Sequence, residues 1–433
     1  MSQQRKPVRA APEPGNSRSH PDQRTHRSTS RPLPERTTPA ITREAPWFAF
    51  NASSVPLSPE GPPFGPNRFL LGANVPWVHY GVDIGTSAWR PEGGLHAHPE
   101  DAALLRQVFE RLRADGVETA RFFLLADGRA GLRFAADGTP EALDGSVFAD
   151  VDVVLEAARG SGISLLLVVL DSGFFGPASI VDGQPVRGHA DTVREPQKRA
   201  ALLERILRPL LIRYADHPAV VAWEVVSGAD AFVAQHGAPP PERGGLLASL
   251  RRMMGVRDRD AEAHAPVAAE EMRAFLCDAV TLIHRHTRAL ATAGVSRWSS
   301  LPLVRGVGLD VYGMGWPADE AELRKAVSDL RLDRPLLLSA FPGSHPRRSI
   351  KTLLDAARCS GYGGAFVWSV LRHDTGSGYD GQVPQWARNH AGQLHRPEVP
   401  APTQLPVAEP REETAEAEAD GEAAPNPPLV LKR

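Results

Sequence analysis

The chain has 433 residues, more than one average domain uses, so its length allows two domains or one large barrel with additions. Its apolar fraction of 42% beside 23% charged residues excludes a wholly disordered chain. A net charge of −2, from 49 basic and 51 acidic residues, argues against a surface built throughout to grip nucleic acid.

From Met1 to Pro46 the chain is rich in Arg, Pro, Ser and Thr, with nine basic and four acidic residues and no hydrophobic period. This composition predicts a disordered basic tail. A second tail, acidic and Pro-rich, runs over residues 396–433 with eight acidic against four basic residues. Each tail reads either as a solubilising linker or as an arm that touches a partner; weak nucleic-acid contact is expected only of the basic one. The opening MSQQRKPVRAAPEPGN reaches no signal-like apolar run, and no later stretch has the roughly eighteen apolar residues of a membrane span. With only Cys277 and Cys359, no disulfide framework or cysteine-rich metal site is available. The expected location is cytoplasmic.

The folded body is then 47–395, a size that suits one elaborated single-core barrel. Eight short apolar runs read as strands: Phe69 to Val75, Glu118 to Leu125, Ile163 to Leu170, Ala219 to Val226, Leu290 to Val295, Gly308 to Met314, Pro335 to Ala340 and Gly364 to Val370. Runs such as SLLLVVL and RPLLLSAF are apolar throughout, as parallel strands covered on both faces require. Between them lie helical patterns at Pro99 to Asp115, Phe148 to Arg159, Glu195 to Ala215, Ala268 to His286, Ala318 to Leu330 and Pro346 to Cys359. Leu202, Leu203, Ile206, Leu207, Leu210 and Leu211 form a stripe for packing on a sheet. Gly116 and Gly162 stand where helices end in a left-handed residue. The fold class is α/β, a (β/α)8 TIM barrel with disordered tails; a doubly wound sheet is disfavoured because no glycine-rich phosphate loop follows the first strand. A loop insertion at 231–267, with three consecutive prolines and the basic SLRRMMGVRDRD, reads as a lid or as a surface-packed excursion.

In such a barrel, ligands meet the C-terminal strand ends. The first strand leads into PWVHYGVD, which places Trp77, His79, Tyr80 and Asp83 near the rim, either as a sugar-stacking wall or as capping packing. Arg121 lies inside the second strand and must find acceptors, as a buried ion pair or as a ligand-holding donor. Asp127, Asp171, Asp230 and Asp374 are carboxylates beyond strand ends. His189 stands in a polar loop and reads as solvated. No His-Glu-x-x-His or Gly-x-Ser-x-Gly pattern occurs, and the His residues show no paired metal spacing, so no metal or cofactor is expected.

Arg121, RYADHPAVVAWEVV, GLDVYGMGWP, DRPLLLSAFP and GYGGAFVWSV together resemble a cellulase-like glycoside hydrolase of family five, within the retaining (β/α)8 glycosidase clan, over most of Phe69 to Asp380. The family continues its fourth strand as Trp-x-x-x-Asn-Glu-Pro, with the Glu as acid/base; here Trp223 leads to Ser227, Gly228 and Ala229. Its seventh strand ends on a nucleophilic Glu, where this chain has Ala340. A His usually precedes the strand-six aromatic, whereas here Gly315 precedes Trp316; the strand-eight Trp368 is kept. The resemblance therefore implies that both catalytic glutamates are replaced, since neither Gly nor Ala can attack a sugar carbon or move a proton. Glu224 lies about four residues before the strand end and reads as the buried partner of a basic group. The expected function is a glycosidase-like barrel that has lost hydrolysis and binds a saccharide or another partner in a cleft of Trp77, His79, Asp83, Arg121, Asp127, Asp171, Asp230, Trp316 and Trp368. One alternative is an active glycosidase with displaced carboxylates; another is a scaffold acting through its charged tails.

Overall fold

The computed structural model describes residues 68–234, 266–315, 323, 325–345, 347–371 and 377–395. Both tails, most of the insertion, Trp316 and Asp374 lie outside the described residues.

All eight expected strands form: β1 Leu70–Asn74, β2 Thr119–Phe123, β3 Ser164–Asp171, β4 Val220–Ser227, β5 Leu290–Val295, β6 Val311–Met314, β7 Leu336–Pro342 and β8 Gly364–Trp368. They pair in parallel, each with its sequence neighbour, and β8 closes on β1 with Leu70 opposite Gly364, giving a closed barrel. The helices include α1 Pro99–Ala114, α2 Val147–Ser161, α3 Ala269–His286, α4 Ile350–Cys359 and α5 Gln382–Asn389. The predicted Glu195 helix is continuous over Pro196–Ala201, Leu202–Leu207 and Arg208–Arg213, its middle turn widened to π geometry. Gly116 and Gly162 both take positive φ, +80° and +68°, ending α1 and α2 as expected.

Several features depart from the expectation. Asp137-Gly138 and Asp182-Gly183 turn two antiparallel hairpins, Leu132–Phe134 with Pro140–Leu143 and Ser179–Val181 with Gln184–Val186, which hydrophobic period alone did not signal. Of the helix predicted from Ala318, the described part comprises a helical, buried Leu323 and a 3-10 turn at Val327–Leu330. Helix α5 was not foreseen because it is short and carries Pro384 in place of a regular stripe; it holds Trp386 against Phe69 with ring centroids 5.7 Å apart.

Two apolar clusters follow from strand alternation. The larger fills the layer between barrel and helices. The smaller, Leu70, Phe123, Leu166, Val168, Ala222, Val311, Leu337 and Phe366, occupies the alternate positions that fill the barrel's inside. Gly72 lies on that inner face, where a Cβ would stand 2.4 Å from the Phe366 ring. Glycine is needed there for space. Gly72→Ala should therefore cost about 1–3 kcal/mol in chemical unfolding, and Gly72→Ala with Phe366→Leu should recover part of that loss.

Candidate functional site

A cavity of about 770 Å³ opens at the C-terminal end of the barrel. The loop after β1 supplies Trp77 and Tyr80, β2 supplies Arg121 and Phe123, and the end of β3 supplies Asp171 with Ser172 and Gly173. Ser227 ends β4 and Phe232 follows it; Ala340 and Pro342 come from β7, Trp368 from β8, and Arg187 from beyond the second hairpin. Trp77 meets Tyr80, Phe123 and Trp368 edge-on at 4.7, 5.4 and 6.0 Å, so the four rings hold one another in place.

Arg121 is buried beneath this wall. Its Nε and Nη2 donate to the two Glu224 oxygens at 2.7 Å each, Nη2 also donates to Ser227 Oγ at 2.8 Å, and Nη1 to Asn74 Oδ1 at 2.9 Å. Four of its five N–H groups are thus committed to the protein. Glu224 is the buried partner of a basic group, as expected, and Gly294 leaves room for it: a Cβ there would lie 2.8 Å from Glu224 Oε1. Asn74 in turn donates to the carbonyls of Ser339 and Phe366, linking the pair to β7 and β8.

Asp171 is the carboxylate that lines the cavity among the described residues. It accepts from Tyr80 O–H at 2.9 Å and from Gly173 N–H at 2.6 Å. Burial pushes its pKa above the usual carboxylate range, with the Tyr80 hydrogen bond opposing and the nearby Asp127 adding to the rise. Tyr80 is held protonated by burial and by Asp171 and Asp127. Asp127 is fully buried behind the wall, gripped by Arg129 Nε at 2.9 Å and Nη2 at 2.8 Å, with Arg187 Nε at 3.5 Å.

Of the other expected site residues, His79, Asp83, Asp127 and Asp230 do not line the cavity, and Trp316 lies outside the described residues. His79 is exposed and its Nε2 lies 3.2 Å from Asp101. Asp83 is buried, accepts from the backbone N–H groups of Val78 and His79, and holds the Trp77–Tyr80 loop in shape. Asp230 is likewise buried and accepts from Ser296 N–H at 2.7 Å and Ser296 O–H at 2.5 Å. Their loops fold back onto the backbone, which strand-end position alone does not reveal. His189 is not a solvated side chain: its ring stacks on Phe134 at 4.3 Å, and burial pushes its pKa down to about 4. Arg187 and Phe232 were not foreseen; the Asp182-Gly183 turn was the signal that could have placed Arg187.

Gly228 sits just past β4 with φ +74°, a left-handed backbone that L side chains rarely adopt. Ala340 lies within an irregularity where the β7–β8 register shifts between Leu338 and Phe341. The ends of the insertion meet: Val233 bridges Val267, and Ala234 N–H donates to the Val267 carbonyl at 2.8 Å. His98, Glu100 and Asp101 come within metal-binding reach of one another, but Asp101 already pairs with Arg90 at 2.7 Å, a fixed cation in any ion's way. Among the described residues no helix is long and apolar enough to cross a membrane.

No known family profile matches the chain. A mannan endo-1,4-beta-mannosidase of Mytilus edulis is 22% identical over 354 residues, covering 76% of this chain and 92% of that protein. One of Cryptopygus antarcticus is 24% identical over 187 residues, 42% of this chain, and the match spans only 44% of that relative's length. Among solved structures, the endo-1,4-beta-mannanase of Eisenia fetida aligns with a TM-score of 0.58 at 18% identity, covering 75% of this chain and 91% of that one. The beta-1,4-D-mannanase of Cryptopygus antarcticus aligns with a TM-score of 0.58 at 18% identity, covering 77% and 95%. The likeness establishes the fold, a (β/α)8 barrel.

Two outcomes follow from this geometry. Glu224→Ala leaves Arg121 buried without its counter-charge and should lower unfolding stability by about 3–5 kcal/mol, whereas Arg121→Met with Glu224→Leu should recover most of it. Burial also pushes the Asp83 carboxyl up to about 6 from its ordinary 3.8. The folded state then holds that proton more tightly than the unfolded chain, so this group stabilises the fold increasingly as pH falls from 7 through 6 toward roughly 4. Denaturation across that range should show wild type gaining up to about 3 kcal/mol relative to Asp83→Asn; a pH-independent difference would refute the assignment.

Proposed function

We propose that this protein is a glycosidase-like barrel that binds a saccharide in its cleft without hydrolysing it. The observation that carries the reading is one cavity that joins an aromatic wall, Trp77, Phe123 and Trp368, to strand ends bearing Ser227 and Ala340, with Asp171 as its lining carboxylate among the described residues. Aromatic faces suit the apolar faces of sugar rings. Retaining hydrolysis needs two carboxyl groups roughly 5 Å apart, one on each side of the bond. Ala340 offers none, and Gly228 offers none from a backbone that disfavours any side chain. The similarity to mannan endo-1,4-beta-mannosidases supports a β-linked mannose-type chain as the first ligand to try. His79, Asp83, Asp127 and Asp230 are retained as supports of the cleft, not as ligand contacts. The cytoplasmic location rests on the sequence reading alone.

One observation favours the alternative of an active glycosidase. Asp171 lines the cavity and has a raised pKa, the property of a general acid. Its neighbour Asp127 is buried and spent on Arg129, so the second carboxylate of such a pair is not free to act.

Calorimetry with mannohexaose and cellohexaose, run beside an aryl-mannoside assay, separates the two. The expected result is binding without turnover, with Trp368→Ala weakening affinity by about tenfold or more, about 1.4 kcal/mol. Turnover abolished by Asp171→Asn would establish the active alternative, and no binding to either glycan would favour the scaffold. Gly228→Glu combined with Ala340→Glu should not restore hydrolysis, because the first change must also overcome its backbone.

A further inference from the structure

Among the described residues, Arg187 differs from the other charged groups at the cleft, Arg121 and Asp171, in having so little to do. Its side chain borders the cavity and is 39% exposed, its Nε is buried with no hydrogen-bond partner, and its ion-pair contact is Asp127 at 3.5 Å. Asp127 is already taken by two shorter bonds from Arg129. The facing carboxylate, Asp171, gives one oxygen to Tyr80 and the other to Gly173 and forms no hydrogen bond with Arg187. Arg121, the other cation of the lining, is neutralised by Glu224.

The position is also held in place. Arg187 takes φ +67°, a conformation costing a non-glycine residue about 1–2 kcal/mol. It is fixed between the hairpin, where Val186 pairs with Ser179, and Gly188, whose N–H donates to the Gly176 carbonyl at 2.9 Å. A strained backbone thus sets at the cleft a guanidinium whose Nε turns toward Asp127, beside Trp77, Phe232, Pro342 and Trp368 and the Asp171 carboxylate already bonded to Tyr80 and Gly173. A guanidinium's planar fork of donors matches a carboxylate in two-point geometry better than it matches a hydroxyl.

We propose that the cleft selects saccharides that carry carboxylate groups, uronate-type chains in preference to neutral ones, and that Arg187 is the specificity-determining residue. The inference rests on the reading of the cleft as a saccharide site and narrows its ligand class. The wall would take the apolar ring faces while Arg187 meets the acid group, and the absence of glutamates at Gly228 and Ala340 removes two charges that would repel it.

The test is calorimetry on the full chain with a tetramannuronate, a tetragalacturonate and mannotetraose, at low and high salt. The expected result is that at least one acidic tetrasaccharide binds about tenfold or more tightly than mannotetraose, with the advantage shrinking as salt rises. Arg187→Gln should abolish the preference and Arg187→Lys should restore part of it, with melting curves confirming that both variants are folded. Mannotetraose binding as tightly as both acids, or a preference that survives in Arg187→Gln, would overturn the inference while leaving the saccharide reading intact. Failure of all three sugars to bind would overturn both.

Discussion

The barrel's interior is organised around one buried ion pair. Arg121 and Glu224 face each other across the lumen in two-point geometry, and both are almost wholly removed from water. A charge in that position is tolerable only when its hydrogen-bonding capacity is met. Asn74, Ser227 and, through Asn74, the carbonyls of Ser339 and Phe366 meet it. Groups on β1, β2, β4, β7 and β8 therefore depend on the same pair, and glycine at position 294 is required for its space. The pair forms the floor of the cleft: the guanidinium lies 4.7 Å from the Phe123 ring, which in turn packs on Trp77.

This arrangement leaves the floor of the site internally hydrogen-bonded and its mouth walled largely by rings. Polar groups at the floor are bound to one another, and Asp83, Asp127 and Asp230 have been drawn into the protein as backbone acceptors or as the partner of Arg129. Among the described residues, the lining of the cavity comprises an aromatic wall, the Asp171 carboxylate and the Arg187 guanidinium above the paired Arg121. The frame is thus that of a (β/α)8 barrel, and Gly228 and Ala340 stand at the ends of β4 and β7 beside this cavity.

The strands were readable because parallel strands covered on both faces leave an unmistakable run such as SLLLVVL, and the closing of α1 and α2 was readable because Gly116 and Gly162 must turn left-handed. The hairpins were not read, although each carries an Asp-Gly turn, because attention to apolar period passes over short exposed strands such as those flanking Asp182. Trp77, Arg121, Asp171 and Trp368 line the cavity because barrel geometry sends the strand ends there. Asp83 and Asp230 do not, since a loop's return path is decided by which backbone N–H groups need an acceptor. Arg187 reaches the cavity from a hairpin far along the β3–β4 connection, a distance that no strand-end rule covers.

The clasp between Val233 and Val267 has a consequence for how the molecule can change. Because chain leaves and re-enters the barrel through one bonded junction, the entropic cost of closing that loop rises only slowly with its length. The bonded junction itself thus fixes where the chain leaves after β4 and where it returns ahead of the helix Ala269–His286, so the barrel's seam at this point is closed by local backbone pairing.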